Sequence, residues 1–199
     1  MAPQLYLITP PQADPDTFPA TLMAVLSAAP FSALLVRRGT ADPAAYARLA
    51  AAVVNVGQGA GCAVLVEDDA TLARRIGADG VHITTGLDAL KHASATLKPD
   101  LIVGAGGIAS RDDAMSAGEL NADYLFFGPL EGATDPAAAE LAEWWAETFE
   151  IPAVLSDPSA TIGVEARGVE FLALSSSLWS APEPAKVASE IAAALSVDA

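Results

Sequence analysis

Short apolar runs alternate with alanine-rich stretches along the whole chain of 199 residues. The apolar runs recur at intervals of about 20 to 30 residues, and each is followed by a stretch whose composition favours a helix. This alternation is typical of βα units, in which apolar parallel strands are covered by helices. The predicted strands are 4–8, 32–36, 62–66, 80–83, 101–105, 123–127, 152–155 and 170–174.

The starts of several helices are marked by residues that cap a helix N-terminus. Asp42 and Asp135 each precede a proline, and Ser110 precedes the sequence RDDA, so each offers a side-chain oxygen to unbonded backbone N–H groups. Eight strand and helix pairs predict an α/β fold, a closed (β/α)8 TIM barrel that forms a single compact domain over residues 1–199, rather than an open doubly wound sheet. The predicted helices are 17–28, 43–56, 69–76, 86–96, 110–119, 136–149, 159–166 and 183–195.

Charge and composition exclude several functional classes. The net charge is −15 and the chain has only ten Lys and Arg residues, which argues against binding to nucleic acid. No apolar run reaches the roughly 18 residues that cross a bilayer, and the N-terminus does not resemble a leader, so we expect no membrane partner and a cytoplasmic location. Cys62 is the only cysteine, so neither a disulfide nor a cysteine zinc site is available. We expect a small-molecule ligand, and the sequence leaves a homodimer open.

In a barrel of this type the active site lies at the carboxyl ends of the strands. Arg37 and Arg38 follow the second predicted strand and are candidates for an anion site. Glu67 and Asp68 end the third strand, and Asp88 follows the fourth, so two neighbouring loops offer oxygen ligands for Mg2+ beside a diphosphate. The alternative is that the acids at this position cap the helix that begins near residue 70.

Two further loops have the composition of a ligand-binding turn. Gly107, in GAGGIAS, allows the backbone to approach a ligand closely, although such a glycine also suits a tight turn. Ser175 and Ser176, in SSSLWSA after the last strand, stand where these barrels bind phosphate, although a simple serine turn fits the same letters. Of the two histidines, His82 lies within a predicted strand and is expected to be packed, and His92 is expected on a helix surface.

Three stretches carry a resemblance to a known family. LYLITP at 5–10, GADGVHI at 77–83 and ADYLFFGP at 122–129, with the spacing between them, resemble thiamine phosphate synthases and the related thiazole tautomerases. The resemblance runs through the whole chain. It implies a (β/α)8 barrel that joins a hydroxymethylpyrimidine diphosphate to a thiazole phosphate with Mg2+ and releases pyrophosphate.

Position by position, the family pattern is kept only in part. Where the family has a Gln-x-Arg-x-Lys motif, this sequence has Leu35, Arg37 and Gly39. Where the family has an Asn-Asp pair, it has Glu67 and Asp68. Asp88 aligns with the family's second metal-binding acid only if one residue is inserted.

The later loops depart further from the family pattern. The serine expected after strand five falls at Gly107, and the tautomerase histidine would fall at Ala109. The loop GPLEGATD at 128–135 lacks the family's lysine, and Asp157 and Pro158 replace two phosphate-binding glycines. Ser176 keeps the final phosphate turn.

These departures leave more than one functional interpretation. The first is a thiamine phosphate synthase with a degraded active site, or a relative acting on a related phosphorylated heterocycle, using Arg37, Asp68, Asp88 and Ser176. The second is a catalytically inactive paralogue that binds a small molecule or a partner in the barrel mouth. A different aldol or isomerase reaction on the same barrel is a third, but the chain lacks the strand-end lysine that a Schiff base would require, since Lys91, Lys98 and Lys186 fall on or beside predicted helices.

Overall fold

A computed structural model describes residues 2–197. Eight parallel strands form a closed barrel in chain order, and β8 pairs with β1 to close it. The predicted barrel is therefore confirmed. The strands are β1 Gln4–Ile8, β2 Phe31–Val36, β3 Ala63–Glu67, β4 Gly80–Ile83, β5 Ile102–Ala105, β6 Tyr124–Phe127, β7 Ala153–Ser156 and β8 Phe171–Leu174.

The helices surround the barrel and begin at the predicted caps. Asp42 accepts hydrogen bonds from Ala44 N and Ala45 N, and Ser110 and Asp135 cap their helices in the same way. Within residues 2–197 no helix is long and apolar enough to cross a membrane. The helices are α1 Phe18–Ala28, α2 Pro43–Gly59, α3 Ala70–Ile76, α4 Leu87–Leu97, α5 Arg111–Glu119, α6 Pro136–Thr148, α7 Ser176–Ser180 and α8 Pro184–Val197.

The predicted helix at 159–166 is wrong. The chain between β7 and β8 runs through successive turns, such as the one closed by Val164 N and Thr161 O. Gly163 has a φ of +97°, which a right-handed helix does not allow, and Ile162 is 61% exposed, so the segment lacks a buried apolar face. No helix therefore follows β7 in the described chain, whereas two helices follow β8: the short α7, which was not predicted, and α8, which was.

The core has two parts, as the barrel geometry requires. Apolar side chains of the strands and helices pack between the sheet and the helical layer, where Cys62 and Trp145 are buried. A smaller group fills the barrel interior, and it includes two tyrosines. This interior packing leaves the ends of the strands to present polar side chains, and in barrels of this type the active site lies at the carboxyl ends. The interior residues are Tyr6, Ile8, Leu35, Leu65, Tyr124, Phe126, Val154 and Ala173.

Candidate active site

Arg37 is a buried cation at the carboxyl end of β2. Its residue surface is 9% exposed, and its Nε donates to Glu67 Oε2 over 3.1 Å. The same carboxylate oxygen accepts the backbone N–H of Arg38 over 2.6 Å, so Glu67 holds both the side chain and the turn that follows β2. The Nη1 atom of Arg37 is buried and has no hydrogen-bond partner within residues 2–197. A buried guanidinium N–H group of this kind is suited to an anionic ligand.

Arg38 does not share this position. Its guanidinium carbon lies 5.9 Å from the ring centroid of Tyr46, on α2, in a cation–π arrangement. The Tyr46 hydroxyl donates to Val36 O over 2.9 Å and accepts from Glu67 N over 2.8 Å. Arg38 is therefore held against the helical layer, and Arg37 is the arginine that β2 directs to the mouth.

Asp68 ties two neighbouring loops together. It has a φ of +50°, and its carboxylate accepts hydrogen bonds from Thr84 N over 2.8 Å and from the Thr84 and Thr85 hydroxyls. The next residue, Asp69, caps α3 through Leu72 N. The alternative that an acid here caps the helix is thus correct for Asp69, while Asp68 anchors the loop after β4.

The acids predicted to hold Mg2+ do not form a metal site by themselves. Glu67 is paired with Arg37, Asp68 is bound to the threonines, and Asp88 is exposed in the first turn of α4. Among residues 2–197, no group of three or more His, Cys, Asp or Glu side chains is placed to hold a metal ion. Mg2+ binding therefore stays a prediction that depends on oxygen ligands from a bound diphosphate.

The loop after β6, residues 128–135, covers the mouth. Leu130 packs against the apolar interior of the barrel, and Glu131 Oε1 lies 3.8 Å from Arg37 Nη2. Gly132 N donates to Ser176 Oγ over 3.2 Å, and the Thr134 hydroxyl contacts Asp157. Asp135 points elsewhere, because it caps α6. The loop thus contacts residues after β2, β7 and β8, which brings the separate strand ends into one site.

Hydrogen bonds within the protein already use some of the polar groups in the turn after β8. Ser176 Oγ accepts from the covering loop, and Ser177 N donates to Pro158 O over 2.8 Å. Ser175 is 3% exposed, and its Oγ has no partner in the described part of the chain. A cavity of about 270 Å³ lies between this turn, the segment after β1 and the covering loop. Ser175 and Ser176 therefore line a cavity at the mouth, and phosphate binding there stays a prediction.

Position 107 requires a glycine because of its backbone conformation and a close backbone neighbour. Its φ is +71°, and a Cβ atom there would lie 3.1 Å from Thr84 O. The residue lines a second mouth cavity, of about 370 Å³, between the loops that follow β5 and β6. The backbone at Gly107 therefore passes close to Thr84 O and also borders this cavity.

His82 is packed inside the barrel, as predicted, but it joins two residues that the sequence did not single out. Its Nδ1 lies 2.9 Å from the Tyr124 hydroxyl, which lies 3.0 Å from the Tyr6 hydroxyl. Burial lowers the pKa of His82 from 6.5 to about 4, with Asp68 raising it and Arg37 lowering it to lesser extents. Burial also raises the pKa values of both tyrosines. His92 is exposed on α4.

Comparison with known proteins agrees with the barrel fold. The profile of the thiamine monophosphate synthase family matches residues 5–178. The chain belongs to this family.

Curated relatives that are named thiamine-phosphate synthases match nearly the whole chain. A thiamine-phosphate synthase of Hyphomonas neptunium is 41% identical over 191 residues, covering 88% of this chain and 86% of the relative. One of Rhodospirillum centenum is 35% identical over 188 residues, covering 90% of each. Among solved structures, the thiamine phosphate pyrophosphorylase of Pyrococcus furiosus superposes with a TM-score of 0.79 over 98% of this chain and 96% of that one. At 22% identity that superposition supports the fold alone.

The sequence identified the residues at the rim of the barrel but not the contacts that their side chains make there. Strand ends in a parallel barrel meet at one rim, so Arg37, Glu67, Asp68, Gly107 and Ser176 could be grouped from the predicted strands alone. Partners on distant loops, such as Glu131 for Arg37, left no signal in the spacing. In β1 and β6 alternate residues point into the barrel, and Tyr6 and Tyr124 both occupy such inward-facing positions. The sequence therefore did contain a signal for these two interior tyrosines.

Proposed function

We propose that this chain carries out the thiamine phosphate synthase reaction at the carboxyl-terminal mouth of the barrel. In that reaction a hydroxymethylpyrimidine diphosphate is joined to a thiazole phosphate and pyrophosphate leaves. The observation that carries the proposal is the buried guanidinium of Arg37, whose Nη1 has no partner among residues 2–197. The family's relatives, at up to 41% identity, support the same activity.

Arg37 has the properties needed to bind a departing diphosphate. A buried charged N–H group left without a partner costs about 1 to 3 kcal/mol, and a phosphate oxygen would remove that cost. Negative charge grows on the diphosphate as its bond to the pyrimidine methylene breaks, and the electron pair leaves with it. A fixed cation that strengthens its contact during this step stabilises the transition state more than the ground state. Glu67 keeps the guanidinium in place through its 3.1 Å contact with Nε.

The second phosphate has a candidate site at the turn after β8, and only β1 lies between β8 and the strand that precedes Arg37. Ser175 Oγ has no partner in the described residues and borders the 270 Å³ cavity with Ser176. Hydroxyl groups at this turn can donate to a phosphate oxygen. Within residues 2–197 the acids do not form a metal site on their own, so Mg2+ would need oxygen ligands from the bound diphosphate, whose charge it would help to neutralise.

A second candidate function is ligand binding without turnover. Glu131 favours it, because its carboxylate lies 3.8 Å from Arg37 Nη2 and opposes a phosphate at that position. The Asp157 carboxylate also stands at the mouth, although it is bound to Thr134 and Ser159 N. In that function the cavity would take a neutral or cationic small molecule.

A direct assay separates the two candidates. The purified chain is incubated with both substrates and Mg2+, and thiamine phosphate is measured by chromatography. The proposal expects product, and Arg37→Lys should lower kcat by about tenfold to a hundredfold, because the single ammonium nitrogen of lysine cannot occupy the positions of both Nε, which contacts Glu67, and the unpartnered Nη1. Arg75→Lys is the matched control, since Arg75 is exposed on α3. Absence of product from the folded wild-type protein would favour binding without turnover.

A further inference from the structure

A separate cavity lies at the end of the barrel opposite the mouth. It has a volume of about 370 Å³ and is lined by residues at the amino ends of the strands, such as Gln4, Ala63 and Phe171. Cavities of this size are typical of small-molecule sites in proteins. Within residues 2–197, no residue lines both this amino-terminal cavity and the cavities at the mouth.

Small side chains on two neighbouring strands create the amino-terminal cavity. In the inward-facing layer at this end, Ala33 pairs in register with Tyr6 on β1 and with Ala63 on β3. Barrels of this type usually fill such a layer with bulky branched side chains. Here β2 and β3 contribute only methyl groups at this level, so the space beside them stays open.

A packed layer separates this cavity from the mouth. The next inward-facing residues toward the carboxyl ends of β1, β2 and β6 are Ile8, Leu35 and Phe126, and each is at most 1% exposed. The Phe126 ring also packs edge to face against Tyr6, at 5.8 Å between centroids. A ligand in the amino-terminal cavity therefore does not contact Arg37.

The walls of the cavity favour an aromatic ligand. The rings of Tyr6, Tyr124 and Phe171 border it, together with Leu65 and Val154. Aromatic rings attract one another in edge-to-face and offset arrangements, as Tyr6 and Tyr124 already do at 5.9 Å between centroids. Water in a cavity with such walls finds few polar partners, so its replacement by an apolar ring is favourable.

The charges around the cavity favour an uncharged ligand. Of the lining residues in the described chain, only Asp123 is ionised at neutral pH, and its carboxylate pairs with Lys98 and accepts Val103 N over 2.7 Å. Burial raises the pKa values of Tyr6 and Tyr124, so both phenols stay neutral. A charged ligand would lose its hydration without gaining a free opposite charge.

Polar groups at the opening of the cavity can orient a ligand. Ser32 Oγ donates to Gln4 Oε1 over 2.6 Å, and both residues line the cavity. That bond uses the oxygen of the Gln4 amide and leaves the Nε2 hydrogens to donate to a ligand. Gln4 is exposed, so a ligand can enter on this side from solvent.

We propose that the amino-terminal cavity is a second binding site, which takes an uncharged aromatic molecule of one or two rings that carries a hydrogen-bond acceptor. The ring lies in the space beside Ala33 and Ala63, and the acceptor receives an N–H group of Gln4. The site is built from residues that the mouth does not use, so it is independent of the activity proposed there.

Benzamide is a probe with this chemistry, and a carbon-13 methyl NMR titration of the full chain both locates and measures its binding. The methyl signals of Ala33 and Ala63 should shift saturably, with a Kd of about 1 mM or lower, and those of Leu130 at the mouth should not. Absence of binding, or shifts confined to the mouth, would overturn the proposal.

Two analogues of benzamide test the chemical class of the ligand. Benzoate has the same shape and a negative charge, and it should bind at least about tenfold more weakly in about 0.3 M salt, which screens the net charge of the protein. Cyclohexanecarboxamide keeps the amide without the aromatic ring and should bind about threefold more weakly. Equal affinity for benzamide and either analogue would contradict the uncharged aromatic class.

Three variants test the position of the site. Ala63→Leu fills the cavity and should abolish measurable binding, whereas Ala95→Leu makes the same change at an exposed position of α4 and should leave the affinity unchanged. Gln4→Leu removes the donor at the opening and should weaken binding by about threefold to tenfold. Unchanged affinity in folded Ala63→Leu contradicts the site. If that variant does not fold, Gln4→Leu and the wild-type methyl shifts still decide the outcome.

Discussion

The carboxylate of Glu131 lies 3.8 Å from the Nη2 atom of Arg37, although the two residues follow strands on opposite sides of the barrel. Glu131 is on the loop that covers the mouth, and its side chain is 53% exposed. Arg37 is already paired with Glu67, so Glu131 is a second and weaker acid at the same cation. An anion that binds Arg37 must therefore displace Glu131 or bind beside it.

Removing this carboxylate should strengthen anion binding. We expect Glu131→Gln to raise the affinity for inorganic pyrophosphate by about twofold to fivefold, because an exposed ion pair is worth at most about 1 kcal/mol. Isothermal titration calorimetry at low salt measures the change. Glu140→Gln, on the exposed face of α6, removes the same charge away from the mouth and is the control. Equal gains in both variants would mean that only net charge matters.

The Arg37 and Glu67 pair should contribute strongly to stability. Their side chains are only 10% and 12% exposed, so Glu67→Ala leaves a buried guanidinium without its main partner. We expect the free energy of unfolding in urea to fall by about 3 kcal/mol. Glu143→Ala breaks a pair with Arg167 whose side chains are 44% and 38% exposed, and should cost less than about 1 kcal/mol. Similar losses in the two variants would contradict the buried role of Glu67.

Mg2+ should bind only together with a diphosphate. Titration of Mg2+ into the protein alone should give no saturable heat, because the acids between residues 2 and 197 form no ready site. With inorganic pyrophosphate present, we expect saturable binding that Asp68→Ala weakens by about tenfold. A titration of Mg2+ into pyrophosphate without protein supplies the background, and Asp88→Ala shows whether the exposed acid takes part. Equally tight binding by Asp68→Ala would remove Asp68 from this role.

His82 should make stability depend on pH below neutrality. Its pKa is about 4 in the fold and 6.5 when unperturbed, so the unfolded chain takes up this proton first as the pH falls. The contribution of neutral His82 is complete above about pH 6.5 and is lost as the pH falls toward 4. The expected loss between pH 7.5 and pH 5.5 is about 1 kcal/mol.

Denaturant unfolding at the two pH values measures that difference. His82→Phe should lack the histidine part of the slope, since it removes the group that titrates. His92→Gln, which removes the exposed histidine of α4, should keep it. A slope that is the same in wild type and His82→Phe would show that buried His82 is not the source.

Much of the fold could be predicted from local sequence. The eight apolar runs specified the strands to within about one residue, and Asp42, Ser110 and Asp135 specified helix starts, because strand burial and helix capping depend on neighbouring residues. The one helix predicted in error, at 159–166, had helical composition but no face to bury. Gly163 and the exposed Ile162 show that tertiary packing decided that segment.

The sequence by itself determined which residues stand at the carboxyl-terminal rim, because the order of parallel strands fixes which loops share that end. Only the tertiary structure decided what each rim residue contacts. Glu67 binds Arg37, Asp68 binds Thr84, and His82 reaches Tyr6 through Tyr124, across sequence separations of up to 118 residues between bonded partners. Such contacts depend on side-chain directions across a closed barrel, and no local spacing along the chain encodes them.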